Sequence, residues 1–320
     1  MARRAKGRPV NGIFLLDKPG GISSNRALQI VKRIYGAAKA GHTGALDPLA
    51  TGMLPLCFGE ATKFSQFLLN ADKRYLTTAK LGQRTDTSDA DGEVVEEREL
   101  PEGLTRDAID QLLQAEFTGE ITQVPSMFSA LKHNGQPLYK LARQGIQVEV
   151  KSRQVTVYEI RVLDFRGDEV DLDIRCSKGT YIRSIVQDMG EMLGCGAHVK
   201  VLRRLDSGPY TADKMMPLAD LELLVEEMGS DASAQSIQKR LDGLLLPPWS
   251  PVESAPELLL DEAQARTLCF GQRVVLENTA AQPLVRIIEQ RSGRFLGIGE
   301  ISDSGQLLPR RLMNTQPESE

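Results

Sequence analysis

The chain has 320 residues, of which 41% are apolar and 26% charged, an ordinary balance for a globular protein with a buried core. Its length exceeds that of a typical single core, which predicts one large domain and a smaller one. No apolar run approaches the ~20 residues that span a bilayer. The basic first residues are not followed by the apolar stretch of a signal peptide, so we expect a cytoplasmic protein without membrane contact.

The net charge of −4 argues at first against a nucleic-acid partner, because binding to phosphates depends on Lys and Arg. The charge is unevenly distributed, however. Residues 212–262 hold eleven acidic and three basic side chains, and residues 86–102 hold eight acidic side chains and one Arg. The remainder carries about +11, enough to face phosphates. We expect both acidic segments to be solvated surface.

The first two-thirds of the chain mixes strand and helix patterns without regular alternation. Residues 9–18 predict a strand that ends in a Pro-Gly-Gly turn. Ser23 or Ser24 is placed to cap the helix that follows. Further patterns predict helices at 61–69 and 105–116, a strand end that feeds a helix over 180–192, and strands at 75–81, 93–97, 155–165 and 169–176. The mixture predicts an α+β fold around a mixed, largely antiparallel sheet.

Three prolines within residues 247–251 stop any regular element and mark the clearest boundary in the chain. Beyond it, a short helix is predicted at 261–270 and strands at 273–277, 284–290, 295–301 and 307–312. We therefore predict a domain over 1–250, a compact β-rich module over 251–314 and a frayed tail over 315–320.

No metal or cofactor is expected. The cysteines have no Cys-x-x-Cys spacing, so each is predicted to be a small buried side chain; they are Cys57, Cys176, Cys195 and Cys269. The three histidines are too scattered for a ligand cluster. No glycine-rich phosphate loop opens a helix, which leaves no basis for a nucleotide cofactor.

Residues 126–153 form a basic, aromatic and turn-rich segment. Its basic side chains are Lys132, His133, Lys140, Arg143, Lys151 and Arg153. This composition fits a loop that orders on RNA. A solvated helical surface explains the same composition equally well.

The segment 41–52 contains three glycines, one histidine and a single acid, Asp47. Pro48 disfavours a helical conformation at Asp47, and the glycines permit close backbone approaches. Taken alone, an Asp-Pro pair is typical of a helix cap or an Asx-turn. A lone carboxylate in a glycine-rich loop also fits a reactive group that a substrate can reach.

Residues 41–63 resemble the signature of the tRNA pseudouridine synthase B (TruB) family. Further blocks of the family follow in order over residues 11–210. They are Asn11-Gly12-Ile13 with Leu16-Asp17-Lys18-Pro19-Gly20-Gly21, Lys73-Arg74-Tyr75, Leu81-Gly82-Gln83-Arg84-Thr85-Asp86-Thr87, Gln123-Val124-Pro125-Ser126-Met127-Phe128-Ser129-Ala130-Leu131-Lys132, Lys178-Gly179-Thr180-Tyr181-Ile182-Arg183, and His198-Val199 with Leu202-Arg203-Arg204.

The resemblance implies a pseudouridine synthase fold with a small C-terminal PUA-like β-barrel that binds RNA. The implied activity is the isomerisation of uridine 55 in the tRNA T-loop, by base flipping and without a cofactor. Asp47 is implied as the nucleophile or base, with Arg183 as its ion-pair partner and Tyr75 stacked on the flipped base. The remaining implied substrate contacts are His42, Tyr181, Leu202 and Lys18, and the candidate RNA contacts are Lys132, Lys140, Arg143, Arg203 and Arg204. For Lys18, both phosphate contact and plain solvation remain open.

Two other functions fit part of the same pattern. One is an RNA chaperone that opens and refolds tRNA without chemistry, which the set of Asp47, Tyr75 and Arg183 disfavours. The other is an enzyme inside a guide-RNA particle, like the archaeal and eukaryotic relatives. The sequence ends in acidic residues instead of the long basic tail of the eukaryotic relatives. We expect a monomer that acts on the T-arm of tRNA without a guide RNA.

Overall fold

The computed structural model describes residues 7–129, 131–229, 233–276 and 279–314, so the predicted tail over 315–320 lies outside the described residues. The strands are β1 (Gly12–Lys18), β2 (Ala40–His42), β3 (Thr51–Phe58), β4 (Lys73–Leu81), β5 (Gln83–Thr85), β6 (Val94–Glu97), β7 (Gly119–Gln123), β8 (Lys132–His133), β9 (Gln136–Pro137), β10 (Arg153–Arg166), β11 (Glu169–Cys176), β12 (Ala197–Ser207), β13 (Met216–Pro217), β14 (Glu257–Leu260), β15 (Val274–Val275), β16 (Gln282–Glu289), β17 (Phe295–Ile301) and β18 (Gln306–Leu312). The helices are α1 (Ser24–Ile34), α2 (Ser65–Asn70), α3 (Arg106–Glu116), α4 (Leu138–Arg143), α5 (Ile182–Met192), α6 (Leu218–Glu227), α7 (Ala234–Asp242) and α8 (Glu262–Cys269).

The largest sheet runs in the order β13-β1-β3-β12-β4-β11-β10-β7, and β2 pairs with β3. Its described ladders are antiparallel except for β1 with β13 and β3 with β12. The predicted α+β fold with a mixed, largely antiparallel sheet is therefore confirmed.

The central strand β4 has one face packed against helices and one face with charged side chains. Along β4, buried residues alternate with half-buried ones, as expected for a strand with one face in the core. Tyr75, Ala79 and Leu81 lie in the main apolar cluster, together with side chains of α1, α3 and α5. The opposite face of β4 carries Arg74 and Lys80, which are paired with acidic residues of neighbouring segments. The site described below lies on the covered face.

Several local predictions are confirmed. The Ser23 side chain caps α1, and the helix predicted at 105–116 is α3, which the Thr105 side chain caps. The strands predicted at 155–165 and 169–176 form the antiparallel pair of β10 and β11. Other short strands had no clear sequence pattern, including β2, β5, β7, β13 and β14.

The helix predicted at 61–69 is wrong in its first half. A 3₁₀ turn, Gly59–Phe64, precedes the shorter α2. Asn11 accepts a hydrogen bond from the backbone N–H of Glu60 at the start of this turn. The turn directs Phe64 toward the C-terminal sheet, where its ring centre lies 5.4 Å from that of Phe295.

The C-terminal sheet has the order β14-β16-β17-β18-β15 and encloses its own apolar cluster with α8. Asp261 and Gln264 form a capping box at the start of α8. The predicted small C-terminal β-fold is confirmed, although β15 is shorter than its pattern indicated. Cys57, Cys176 and Cys195 are buried as expected, whereas Cys269, the last residue of α8, is exposed. Within the described residues, no helix has the length and apolar character of a membrane span.

Candidate active site

The loop between β2 and β3 presents Asp47, and its backbone is held on both sides of that residue. Ser24 of α1 bonds to both the N–H and the carbonyl of Leu46, at 2.7 and 3.0 Å. On the other side, the Pro48 carbonyl accepts the N–H of Gly21 at 2.8 Å. A loop fixed in this way keeps its carboxylate in place before a substrate arrives.

The ion pair expected between Asp47 and Arg183 is present. Nε of Arg183 lies 3.0 Å from Oδ2 of Asp47, in a contact that has the distance of an ion pair but not the alignment of a hydrogen bond. The Arg183 side chain is 4% exposed and that of Asp47 is 38% exposed. The cation is therefore buried behind the carboxylate, while the carboxylate itself remains open to a substrate.

Arg183 joins three loops of the site. Its Nη1 donates to the Thr87 carbonyl at 2.9 Å and its Nη2 donates to the Phe128 carbonyl at 3.1 Å. The same Nη1 lies 3.4 Å from Oδ2 of Asp89. Asp89 is buried, so the prediction that residues 86–102 form only solvated surface is wrong at this position. Burial of this acid is explained by the guanidinium beside it, because buried charges require a partner.

Burial raises the pKa of the Asp47 carboxyl above its ordinary value, since the surrounding protein disfavours the charged form. The Arg183 cation acts in the opposite direction and lowers this pKa. The open side of the carboxylate moderates the desolvation, because solvent still reaches 38% of the side chain. Arg183 is thus the main cation that favours ionised Asp47, and Lys18 acts in the same direction to a smaller extent.

Tyr75 lies on β4 with Arg204 of β12 as its direct cross-strand partner. Its side chain is 9% exposed and belongs to the main apolar cluster. Burial raises the pKa of its phenol, and Arg204 opposes that rise. Tyr75 is thus at once a core residue and close enough to Asp47 for that carboxylate to act on its pKa.

The other predicted pocket residues have contrasting surroundings. His42 is half-buried at the end of β2, where burial and then Arg204 lower the pKa of its imidazole. Its Nδ1 is buried without a partner among the described residues. Tyr181 precedes α5 and is half-exposed. Leu202 is only 7% exposed and packs in the main apolar cluster.

Lys18 is fully buried, which contradicts both a solvated and a phosphate-bound side chain. Its ammonium donates to the carbonyls of Pro19 and Ile22 at 2.8 Å and of Pro48 at 3.3 Å. Burial lowers its pKa to about 8, while Asp47 opposes this effect. Because it bonds the residue after Asp47, Lys18 helps to hold the Asp47 loop.

Arg203 and Arg204, both predicted as RNA contacts, have different surroundings. Arg203 forms a double hydrogen bond with Asp17, at 2.9 and 2.6 Å, and 36% of its side chain is exposed. Arg204 is 1% exposed, so it cannot reach RNA in this conformation. It donates instead to the carbonyls of Met53 at 2.6 Å and Gly44 at 2.9 Å. Gly52 passes so close that a Cβ there would lie 2.2 Å from the Arg204 carbonyl.

Residues 126–153, with the exception of Ala130, contain the small β8–β9 hairpin and α4. Lys132, Lys140 and Arg143 are exposed on this segment. The predicted helical surface is therefore limited to the six residues of α4.

Three features of the site were not predicted from the sequence. They are the burial of Asp89, the hydrogen bonds between Ser24 and Leu46, and the hydrogen bonds from Arg204 to the carbonyls of Met53 and Gly44. Nothing in the local pattern separates Asp89 from the exposed acids around it. A serine pair before a helix did indicate a cap, but not that the second serine turns to another loop. No group of three or more His, Cys, Asp or Glu side chains in the described part of the chain is arranged to hold a metal ion.

Solved structures share this fold. One chain in the "Crystal Structure of a Cbf5-Nop10-Gar1 Complex" matches with a TM-score of 0.68 and 26% identity, over 94% of this chain and 84% of that one. A chain of the "archaeal box H/ACA sRNP Nop10-Cbf5 complex" matches with a TM-score of 0.67 over 100% and 96% of the two chains; at 24% identity it shows the fold alone.

Family models and curated relatives cover the same span. The model of the "TruB family pseudouridylate synthase (N terminal domain)" matches residues 32–182, and two TruB C-terminal models match 183–255 and 256–313. The "tRNA pseudouridine synthase B" of Vibrio cholerae serotype O1 (strain M66-2) is 55% identical over 98% of this chain and 99% of that protein. The relative of the same name from Shewanella amazonensis is 55% identical over 98% of both chains.

The fold, the loop carboxylate and these matches define a pseudouridine synthase, an enzyme that isomerises uridine in RNA. The chain belongs to the TruB family of pseudouridylate synthases.

Proposed function

We propose that this enzyme converts uridine 55 in the T-loop of tRNA to pseudouridine, with Asp47 as the group that attacks or deprotonates the sugar. The observation that carries the proposal is the ion pair between the open carboxylate of Asp47 and the buried guanidinium of Arg183. The relatives named tRNA pseudouridine synthase B support tRNA as the substrate.

The isomerisation breaks the bond between N1 of uracil and C1′ of ribose and forms a bond between C5 and C1′. The base rotates between the two events, C5 loses a proton and N1 gains one, so no electrons are exchanged with a cofactor. As a nucleophile, ionised Asp47 would form a transient bond to the substrate while the N1–C1′ bond breaks, and would leave again by the time the C5–C1′ product is released. As a base, it would take a proton from the sugar after N1–C1′ cleavage and return it to the sugar as the C5–C1′ bond forms. Both roles require the ionised carboxylate that Arg183 favours.

The uridine must leave its stack in the RNA to reach Asp47. We propose that Tyr75 stacks on the extruded uracil and assists proton removal, because its phenol lies on the site face beside Arg204. A stacked base is stabilised by roughly 1–3 kcal/mol. We further propose that His42 holds the disturbed RNA loop and that Tyr181 and Leu202 form walls of the pocket.

The RNA contacts beyond the pocket are proposed for two regions. Residues 126–153 present the exposed Lys132, Lys140 and Arg143 next to the Phe128 carbonyl that Arg183 binds. The PUA-like module over 251–314 is proposed as the second region. We propose a monomer that needs no guide RNA and no cofactor.

The test is to incubate the purified full chain with an unmodified tRNA transcript, without other RNA, and to map pseudouridine along the transcript. We expect one pseudouridine, at position 55, before and after dialysis against a strong chelator. A transcript with cytidine at position 55 should yield none. Binding and refolding of tRNA without any product would instead support an RNA chaperone, and modification only with added guide RNA would overturn stand-alone action.

A further inference from the structure

Arg153 is a half-buried arginine beside the active site, and two of its buried donor atoms have no acceptor among the described residues. It is the first residue of β10, directly after the segment 126–152. Its Nε and Nη2 are buried, and among the described residues neither has a hydrogen-bond partner. No carboxylate of the described chain is within ion-pair distance of it. Buried guanidinium donors without acceptors destabilise a fold, so this arrangement indicates an acceptor that arrives from outside.

The guanidinium is nevertheless held in a defined place. Its Cζ lies 4.4 Å from the centre of the Tyr181 ring. Tyr181 is fixed in turn by Gln123, which accepts its backbone N–H at 3.0 Å and donates to its carbonyl at 3.2 Å. The backbone of Gly179 also lies close to this guanidinium, since a Cβ at that residue would be 3.4 Å from Nη1 of Arg153.

A second stacked arginine in the same protein shows what a purely structural case looks like. Arg286 lies over the Trp249 ring at 4.9 Å. Its Nε donates to the Ala255 carbonyl at 3.0 Å, and its Nη1 lies 3.2 Å from Glu257. Stacking alone therefore does not account for a guanidinium with two unused donors.

The position of Arg153 points to RNA. Tyr181 is two residues before Arg183, the partner of Asp47. The segment 126–152, which precedes Arg153 in the chain, is joined to the rest of the described chain by few hydrogen bonds, chiefly that from Arg183 to the Phe128 carbonyl. Arg153 is itself only half-buried, and a neighbouring segment with few such bonds moves at low cost, so arriving RNA can reach the guanidinium.

We propose that Arg153 is a phosphate-binding residue, which receives a phosphodiester of the RNA backbone next to the extruded nucleotide. The planar fork of Arg matches two phosphate oxygens, and the stack on Tyr181 orients that fork in advance. The inference rests on the proposed function in taking tRNA as the RNA.

The experiment measures binding of unmodified tRNA over a range of salt concentrations, in full-length Asp47→Asn protein so that the RNA is not converted. We compare Arg153→Met and Arg153→Lys with Arg175→Met. Arg175 is a matched control because its Cζ lies 5.9 Å from the Tyr158 ring and its side chain is exposed. It points away from the core, since its neighbours Ile174 and Cys176 point into it.

Arg153→Met should weaken binding about tenfold, as expected when a hydrogen bond to a charged group is lost. The slope of log Kd against log salt should fall by about 0.7 to 0.9, the effect of one phosphate contact. Arg153→Lys should keep the slope and lose only a few-fold in affinity, because the charge remains. Arg175→Met should change neither quantity.

The Tm of free Arg153→Met should equal or exceed that of the parent, because the substitution removes buried donors that have no acceptor. An unchanged salt slope in Arg153→Met would overturn the proposal, and so would a lowered Tm, which would mean that the guanidinium already has acceptors in the free protein. These outcomes are separate from a failure of the proposed function, in which the wild-type protein would form no pseudouridine.

Discussion

Arg204 lies directly opposite Tyr75 in the ladder between β12 and β4. The same Arg204 side chain donates to the carbonyls of Gly44 and Met53, which flank the loop that carries Asp47. One buried cation therefore connects the strand of Tyr75 to both ends of the Asp47 loop. We therefore expect the distance between Asp47 and Tyr75, the two proposed catalytic groups, to depend on Arg204.

Replacement of Arg204 by Met should leave tRNA affinity within a few-fold but slow the single-turnover rate by about a hundredfold, because small displacements of reacting groups cost that much. The matched control is Lys73→Met. Lys73 is a buried cation that donates to the carbonyls of Leu68, Leu69 and Ala71, so none of its described hydrogen bonds goes to the Asp47 loop. The control should lower the Tm with little effect on the rate measured well below it. Equal rates in the two variants would reduce Arg204 to a structural residue.

Asp47→Asn should abolish isomerisation while tRNA binding stays within a few-fold of wild type. The amide has nearly the shape of the carboxylate, so the change removes charge and nucleophilicity alone. Single-turnover formation of pseudouridine and tRNA affinity are measured together. Asp86→Asn, at an exposed acid of the neighbouring loop, serves as the control and should be fully active. Turnover by Asp47→Asn within a few-fold of wild type would remove Asp47 from the mechanism.

The rate should fall on acidification as Asp47 becomes protonated, at a pH above the ordinary pKa of an aspartate because burial raises the pKa of this group. Arg183 lowers that pKa, so Arg183→Gln should shift the acidic limb of the rate profile to higher pH. Arg183→Lys keeps a positive charge and should shift it less. Arg203→Gln, which breaks a different Arg–Asp pair, should leave the limb in place. A limb that moves to lower pH in Arg183→Gln would contradict the assignment.

Tyr75→Phe should bind tRNA nearly normally and fail in turnover, because the ring is kept and only the hydroxyl is lost. Tyr75→Leu should also weaken binding of the flipped nucleotide, by up to the roughly 1–3 kcal/mol that stacking supplies. A residue that only fills the core would behave differently. Its Phe variant would stay active, and its Leu variant would mainly lower the Tm. The three measurements needed are single-turnover rate, tRNA affinity and melting temperature.

The sequence was sufficient to predict the fold class, because the patterns of strands and helices can be read along the chain. It was also sufficient to predict the ion pair of Asp47 with Arg183, because the motifs of the family follow one another in order. It did not predict the surroundings of basic residues. Lys18 and Arg204 have the sequence character of phosphate contacts, yet their charges are used on backbone carbonyls inside the protein. Such carbonyls come from segments far apart in the chain, and no local pattern shows where they converge.

Asp89 illustrates the same limit for acids. In a segment with eight acidic side chains, solvation is the natural expectation for each. Which one is buried depends on the position of Arg183, almost a hundred residues later. For Arg153, nothing in the sequence indicates that two of its nitrogen atoms are buried without a hydrogen-bond acceptor. Only the structure of the described residues shows this.

The strand β3 has a consequence for how freely the C-terminal sheet can be exchanged among relatives. The first residues of β3 follow the Asp47 loop, and its last residue leads into the 3₁₀ turn. In that turn, the Phe64 ring packs against the Phe295 ring, and the Lys63 ammonium donates to the Leu312 carbonyl at 2.8 Å. A replacement sheet would have to present an aromatic side chain and a free carbonyl at these two points. A grafted sheet without these two contacts would disturb β3, the strand that follows the Asp47 loop. We therefore expect the two sheets to be inherited together.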